Sequence, residues 1–241
     1  MTTVQDHYQN VLSDVYSWML GGYDAQLAKN RTFFEMRNIK PIGSMTAVDL
    51  GAGCGFQSIP LSEAGYSVTA IDFDSSLLQE LKANDTTGAV TIKCDDMLNF
   101  DEHVSAPSEL IVCMTDTLLH LESGDTVTKL FGKMFNHLEE KGRFVTTFRD
   151  LSNTLEDLDR FIPVKQDENI IFTCFLEYEA DTVKVHDLVY QNVDGEWLLG
   201  KSFYRKLRLS PKWVENQLSQ VGFSDVAVDV ENGLVTIVAA K

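Results

Sequence analysis

Residues 47–148 impose the strongest constraint on this 241-residue chain, because short apolar runs there alternate with stretches of helical spacing. "MTAVDL" (45–50), "YSVTAIDFD" (66–74), "AVTIKCDD" (89–96), "ELIVCMTD" (109–116) and "RFVTTFRD" (143–150) predict five strands. Between them, "SIPLSEAG" (58–65), "SSLLQELKAN" (75–84) and "DTVTKLFGKMFNHLEEKG" (125–142) predict helices. The second helix opens on a serine cap and the third closes at Lys141–Gly142. The fourth strand is too apolar for burial on one face and belongs in the middle of a sheet. Strand–helix alternation at this rhythm predicts a parallel, doubly wound sheet.

After Asp150 the rhythm changes. Residues 169–209 hold three strand-like runs, parted by turn chemistry at Ala180–Asp181 and Asp194–Gly195, which predicts an inserted antiparallel sheet of three strands. "SPKWVENQLSQVG" (210–222) then resumes the first pattern, with Ser210 as cap, Pro211 in the first turn and Gly222 as stop. "FSDVAVDV" (223–230) and "LVTIVAA" (234–240) predict a closing hairpin around Asn232–Gly233. Residues 1–45, rich in Tyr, Trp and Met, read as helical.

A net charge of −16 argues against nucleic acid as a partner, since an acidic surface repels phosphate backbones. No apolar run is long enough for a membrane-spanning helix. The opening "MTTVQDHYQN" lacks the features of a secretory signal, and Cys54, Cys94, Cys113 and Cys174 show no CxxC pairing. Reduced, buried thiols and a cytoplasmic location are the expectation. Oligomeric state is not legible.

"VDLGAGCG" (48–55) sets Gly51, Gly53 and Gly55 between a strand and a helix, where residues without Cβ let a ligand lie against the main chain. The spacing is GxGxG. A dinucleotide fingerprint would be GxGxxG, and Asp49 just before the loop would repel a pyrophosphate. Asp72 closes the second strand, where a carboxylate accepts from ribose hydroxyls. Asp95 and Asp96 follow the third strand, placed to accept from an adenine amino group, with Met97 beside them. "CMTDTLLHL" follows the fourth strand. Acids at these strand ends favour a nucleoside that carries positive charge and no phosphate, as S-adenosylmethionine does.

With "VDLGAGCG", "AIDFD", "CDDML" and "MTDTLLHL" in these positions, the chain resembles the class I S-adenosylmethionine-dependent methyltransferases over residues 47–150. "LSPKWVENQLSQVGFSDVAV" is similar to that family's last helix and strand. The resemblance implies a Rossmann-like, seven-stranded, mostly parallel sheet and S-adenosylmethionine as cofactor. It implies Asp49, Gly51, Ala52, Gly53 and Gly55 near the methionine end and Asp72 with Phe73 at the ribose. Asp95 or Asp96, with Met97, falls at the adenine, Asp96 being the favoured register. The main chain at Met114 falls at the methionine ammonium. The chain is then expected to divide into an N-terminal helical lid (1–45), a cofactor-binding domain (46–150 and 210–241) and an inserted sheet (151–209) that resembles the family's substrate-covering elements.

Methyl transfer needs alignment of nucleophile, methyl carbon and sulfur more than any single side chain. His120, four residues past Asp116, is the candidate base, and Arg149 at the fifth strand's end is the candidate carboxylate clamp. Tyr16 or Trp18 would present a ring near the sulfonium. Asp116 and Asp150 stand where some relatives hold magnesium, but Arg149–Asp150–Leu151 replaces the Asp-Asn pair, so no metal is expected. Lys201, Arg205, Lys206, Arg208 and Lys212 make a local basic run, a solvated strand face or a guide for an anionic substrate. The acceptor is read as a small, perhaps anionic, metabolite methylated at O or N. A sensor or scaffold that binds the cofactor without turnover is the alternative, and a nicotinamide-dependent oxidoreductase the more distant one.

Overall fold

The computed structural model describes residues 4–241. The chain begins with short helical turns, α1 (Val4–His7), Tyr8–Leu12, Ser13–Val15 and α2 (Tyr16–Met19), before the longer α3 (Tyr23–Met36). The central unit follows as β1 (Thr46–Leu50), α4 (Ser58–Glu63), β2 (Ser67–Asp72), α5 (Ser75–Asn84), β3 (Val90–Cys94), β4 (Ser108–Cys113), α6 (Gly124–His137) and β5 (Leu138–Arg149). Four further strands, β6 (Phe161–Gln166), β7 (Ile170–Tyr178), β8 (Thr182–Val193) and β9 (Glu196–Leu207), precede α7 (Pro211–Val221), β10 (Ser224–Glu231) and β11 (Leu234–Ala240).

The central sheet has seven strands in the order β10-β11-β5-β4-β1-β2-β3, parallel except at β10 and β11. β4 is the middle strand and every residue of it is buried, as its unbroken apolar run requires. Phe131, Leu130 and Met134 of α6 and Phe144 and Phe148 of β5 fill one face. Phe34, Leu61, Tyr66 and Val145 fill the other. The strand order reverses between β1 and β4, which opens a crevice at their carboxyl ends.

Several expectations are corrected. The insert has four strands, β6-β7-β8-β9, because Phe161–Gln166 pairs with β7. Pro163 hides this strand from pattern reading, and the pairing register slips between Pro163 and Lys165, as an edge strand carrying proline permits. The helix expected to reach Gly142 ends at His137: Leu138 is extended and buried, and the chain turns through Lys141 at φ 67°. Gly142 is required there, since a Cβ would sit 2.8 Å from the Glu139 carbonyl oxygen. The cap of α5 is Asp74, which accepts the Ser76 and Leu77 N–H groups, in place of the expected serine. Cys94 is exposed because β3 is the sheet's edge, while Cys54 and Cys113 are buried and Cys174 partly so. Ser210 caps α7 and Gly222 stops it, as expected.

Glu109, buried in β4, ties the chain entering β1 to the sheet by accepting from the N–H groups of Ile42 (2.6 Å), Gly43 (2.9 Å) and Met45 (3.0 Å). Glu109→Ala orphans three donors at once and is expected to cost about 3 kcal/mol, read as a lower midpoint in urea unfolding.

Candidate active site

The glycine loop is bound to β2 from its first residues. The Ile71 carbonyl accepts from Gly51 N–H at 2.9 Å and Ala52 N–H at 3.0 Å. Asp72 completes the tie, its Oδ2 accepting from Gly53 N–H and its Oδ1 from Asp74 N–H, both at 2.8 Å. Gly51, at φ 72°, cannot be larger, because a Cβ would fall 2.2 Å from Thr117 Cγ2 on the turn after β4. Gly53 and Gly55 also lie at positive φ. A carboxylate offers about four acceptor positions. Two of those of Asp72 are used, which leaves acceptor capacity for a pair of ribose hydroxyls.

Asp49, which the sequence places just before the glycine loop, lies in the interior. It is 1% exposed, and its Oδ2 accepts from Ser58 Oγ at 2.6 Å. Burial pushes its pKa up to about 7 against the Ser58 hydrogen bond, and the charge of Asp72 pushes the same way. Burial likewise raises Asp72, with the Gly53 and Asp74 N–H groups opposing and the charge of Asp74 assisting.

At the end of β3, Asp95 is committed to structure: Oδ1 accepts from Asp96 N–H and Asn99 Nδ2, and Oδ2 pairs with His103 at 2.8 Å. Asp96 is exposed and caps the Met97–Glu102 turn through Oδ1 alone. Asp96 thus keeps one carboxylate oxygen free where Asp95 has none, and Met97 is half-buried against the core beside it. The Met114 carbonyl accepts from Thr117 Oγ1 at 2.8 Å and Thr117 N–H at 3.3 Å.

Thr115 and Asp116 follow at φ 58° and 68°, conformations that turn the Asp116 side chain between two later segments. Asp116 Oδ1 accepts from Arg149 N–H at 2.7 Å, and Oδ2 from Lys206 Nζ at 2.6 Å, with Arg149 Nε 3.9 Å away. Burial opposes ionisation, yet Lys206 and Arg149 hold this carboxyl below its usual range. Arg149 itself is 67% exposed at the site's edge. Of the basic run, Lys201 is exposed and the other four residues are engaged. Arg205 binds Glu179, Lys206 binds Asp116, Arg208 donates to main-chain carbonyls and Lys212 pairs with Glu215.

His120 ends the Thr117–His120 turn, its ring 6.0 Å from Tyr8 and 5.4 Å from Tyr204. Burial, then the nearby Lys206, drives its pKa down to about 3, so it is neutral at physiological pH and is not a strong base. Tyr16 stacks on Phe56 beside the glycine loop at 6.0 Å and 14°. Trp18 is corrected away from the loop: its Nε1 donates to Asp167, and Lys165 lies over its ring at 4.8 Å. Tyr8 stands edge-on to Phe73, after β2, at 6.1 Å. Asp150 turns away to accept from Ser152. Among the described residues, no three His, Cys, Asp or Glu side chains are grouped to hold a metal ion.

The sequence offered His120 as the base and gave no place to His7, Asp187 or Tyr204. The signal for Asp187 was present, since it falls in phase with Val183, Val185 and Val189 on the buried face of β8, where a carboxylate needs a partner. That partner is His7, with Nε2 2.9 Å from Asp187 Oδ2. Lys206→Met tests the other link between insert and sheet. Asp116, held low, contributes stability above its unfolded pKa that is lost as pH falls. The variant is expected to lose about 3 kcal/mol at pH 7 and visibly less at pH 4, where Asp116 takes up a proton, in urea titrations at both values.

Comparison with known proteins agrees with this geometry. Residues 47–142 match the family described as "Methyltransferase domain". The glycine/sarcosine N-methyltransferase of Aphanothece halophytica is 25% identical over 150 residues, 60% of this chain; the match spans 56% of that relative's length. An S-adenosylmethionine-dependent methyltransferase structure from Clostridium acetobutylicum superposes with TM-score 0.74 at 16% identity, covering 95% of this chain and 96% of that one. CalS10, an amino pentose methyltransferase from Micromonospora echinaspora solved with S-adenosylmethionine bound, gives 0.70 at 12% identity, covering 95% of each chain. The glycine loop and the first strands of the sheet fall inside the stretch that matches the methyltransferase-domain family, and the chain has the fold of the class I S-adenosylmethionine-dependent methyltransferases.

Proposed function

We propose that this chain binds S-adenosylmethionine across the tips of β1–β4 and transfers its methyl group to a nitrogen atom of a small amine. One observation carries the cofactor reading: the charges acting on buried Asp49 and Asp72 are other carboxylates, so this crevice is negative and has no cation of its own among those neighbours. A sulfonium with an α-ammonium relieves that repulsion, whereas a diphosphate aggravates it. The residues present fit the group. Asp72 retains acceptor capacity for the ribose and Asp96 with Met97 would border the adenine, whereas the Met114 carbonyl is already taken by the Thr117 N–H and hydroxyl.

The cofactor supplies a methyl group on positively charged sulfur. The chain supplies alignment and a dry enclosure. Residues 4–19 lie against the glycine loop through Tyr8 and Tyr16 and against the insert through Leu12 and Val15. In this reading they are the lid that closes over bound ligands and opens for exchange, and residues 151–209 roof the acceptor. Nitrogen is favoured over oxygen by the glycine/sarcosine N-methyltransferase relative. Arg149, its guanidinium exposed beside Asp116 and Lys206, is the group placed to engage an anionic end of the acceptor. His120 orients the acceptor as a neutral hydrogen-bonding ring.

Calorimetry with S-adenosylmethionine, its demethylated product and NAD tests the cofactor. Micromolar affinity for the first two and none for NAD is expected; the reverse order defeats the reading. Asp49 adds a pH signature. It holds a proton below about pH 7, and a cationic ligand overhead favours its ionised form. Binding near pH 6.5 is therefore expected to release protons, seen as a heat that varies with buffer ionisation enthalpy and disappears in Asp49→Asn. Release of demethylated cofactor with amines separates an enzyme from a sensor, and activity on hydroxyl compounds alone would reassign the accepting atom.

A further inference from the structure

Two imidazole nitrogens are buried without a hydrogen-bond partner, Nδ1 of His7 and Nδ1 of His120. They belong to one cluster. Both rings pack on Tyr204, with centroids at 4.4 Å and 5.4 Å, and Tyr8 links His120 to Phe73, the residue after Asp72. The pair thus lies between the β8–β9 face of the insert and the rim assigned above to the cofactor. His7 is fully buried, and its Nε2 meets Asp187 Oδ2 at 2.9 Å. A carboxylate only accepts, so Nε2 carries the hydrogen and Nδ1 presents a lone pair. Asp187, 1% exposed, is fixed in turn by the Cys174 thiol, which donates to Oδ1 at 2.8 Å. Unpaired nitrogens in a dry interior are costly, and a ligand bearing N–H groups removes that cost.

We propose that His7 and His120 together bind the amino group of the acceptor, that His7 takes the proton released on methylation, and that Asp187 is the positioning residue that fixes the tautomer of His7. This rests on the nitrogen-methylation reading above. A neutral primary amine has two N–H donors and one lone pair. The donors go to the two Nδ1 atoms, with His120 in its Nε2–H form, and the lone pair is left for the methyl carbon. The N–C bond forms as the C–S bond breaks and sulfur keeps the electron pair. The methylated ammonium then gives one proton to Nδ1 of His7, and Asp187 faces the resulting imidazolium. His120, kept neutral by burial and by Lys206, orients the amine and does not carry the proton. A secondary amine has one N–H and leaves one ring unpaired, so the site favours primary amines.

The groups in and around this cluster are Asp187 and Cys174 from the insert, Tyr204 and Lys206 from β9, His120 and Asp116 from the turn after β4, and Tyr8 beside His7 in sequence. The test uses the full chain with S-adenosylmethionine and, as probes, glycine, sarcosine and glucosamine, beside a parallel set of hydroxyl compounds. Transfer is expected to a primary amine, faster than to sarcosine. His7→Asn is expected to lower kcat about 100-fold with cofactor affinity unchanged, which also reports that the variant is folded. Asp187→Asn is expected to lower kcat about tenfold and to move the acid limb of the pH profile to lower pH, because the imidazolium loses its counter-charge; a merely structural carboxylate would leave that limb in place. Nitrogen-15 spectra of the wild-type protein, which need neither variant nor turnover, are expected to show His7 protonated at Nε2. A proton on Nδ1, or His7→Asn within threefold of wild type across the pH range, overturns this proposal alone. Transfer confined to hydroxyls overturns the nitrogen reading and the amine assignment with it.

Discussion

The carboxylate of Asp72 joins two strand tips through one side chain, and the site is organised around it. By accepting from Gly53 N–H and Asp74 N–H at 2.8 Å each, it holds the glycine loop over the crevice and sets the start of α5. These bonds also oppose the burial that raises its pKa, so charge is kept where a nucleoside would sit. Asp49 lies beneath the same loop with a single hydroxyl to steady it. Two carboxylates sharing a dry crevice repel each other, and the chain leaves that repulsion for a ligand to relieve.

The insert is fastened to this unit by polar links set in apolar surroundings. Lys206 reaches Asp116 from β9, and Asp187 reaches His7 from β8. Around them Leu12, Val15, Phe172 and Val189 form one apolar seam, and Leu176, Val183, Val185 and Tyr204 another. Apolar packing is indifferent to small slips. Buried polar links are not, because each leaves an unpaired charge or polar group when it breaks. The seams supply the burial and the pairs choose the register, so the N-terminal segment, insert and sheet tips meet with particular side chains facing one another.

Much of the architecture was legible where periodicity was strong. The five strands of the 47–148 region, the helices between them, the Ser210–Gly222 helix and the closing hairpin all follow from apolar spacing and from caps that act within a few residues. Reading faltered where a distant contact overrode a local signal. Pro163 masks β6, which exists because β7 offers it a partner. Residues 138–142 have helical composition, yet the helix ends before them because Leu138 is drawn into the core beside β4 and the chain turns at Lys141. Trp18 was a plausible cofactor ring until Lys165 and Asp167 claimed it.

The sequence alone determined the doubly wound class, the glycine loop and the acidic character of the strand ends, because these depend on side-chain period, on residues without Cβ and on charges at fixed chain positions. Only the tertiary structure decided that Asp49 is buried and Asp72 is the loop's anchor, that Asp95 is spent on His103, and that His7 faces Asp187 across 180 residues of chain. Those outcomes depend on which groups meet in space and on how much water remains between them. Hydrogen bonding and desolvation act over a few ångströms, and spacing along the chain does not encode which distant residues come that close.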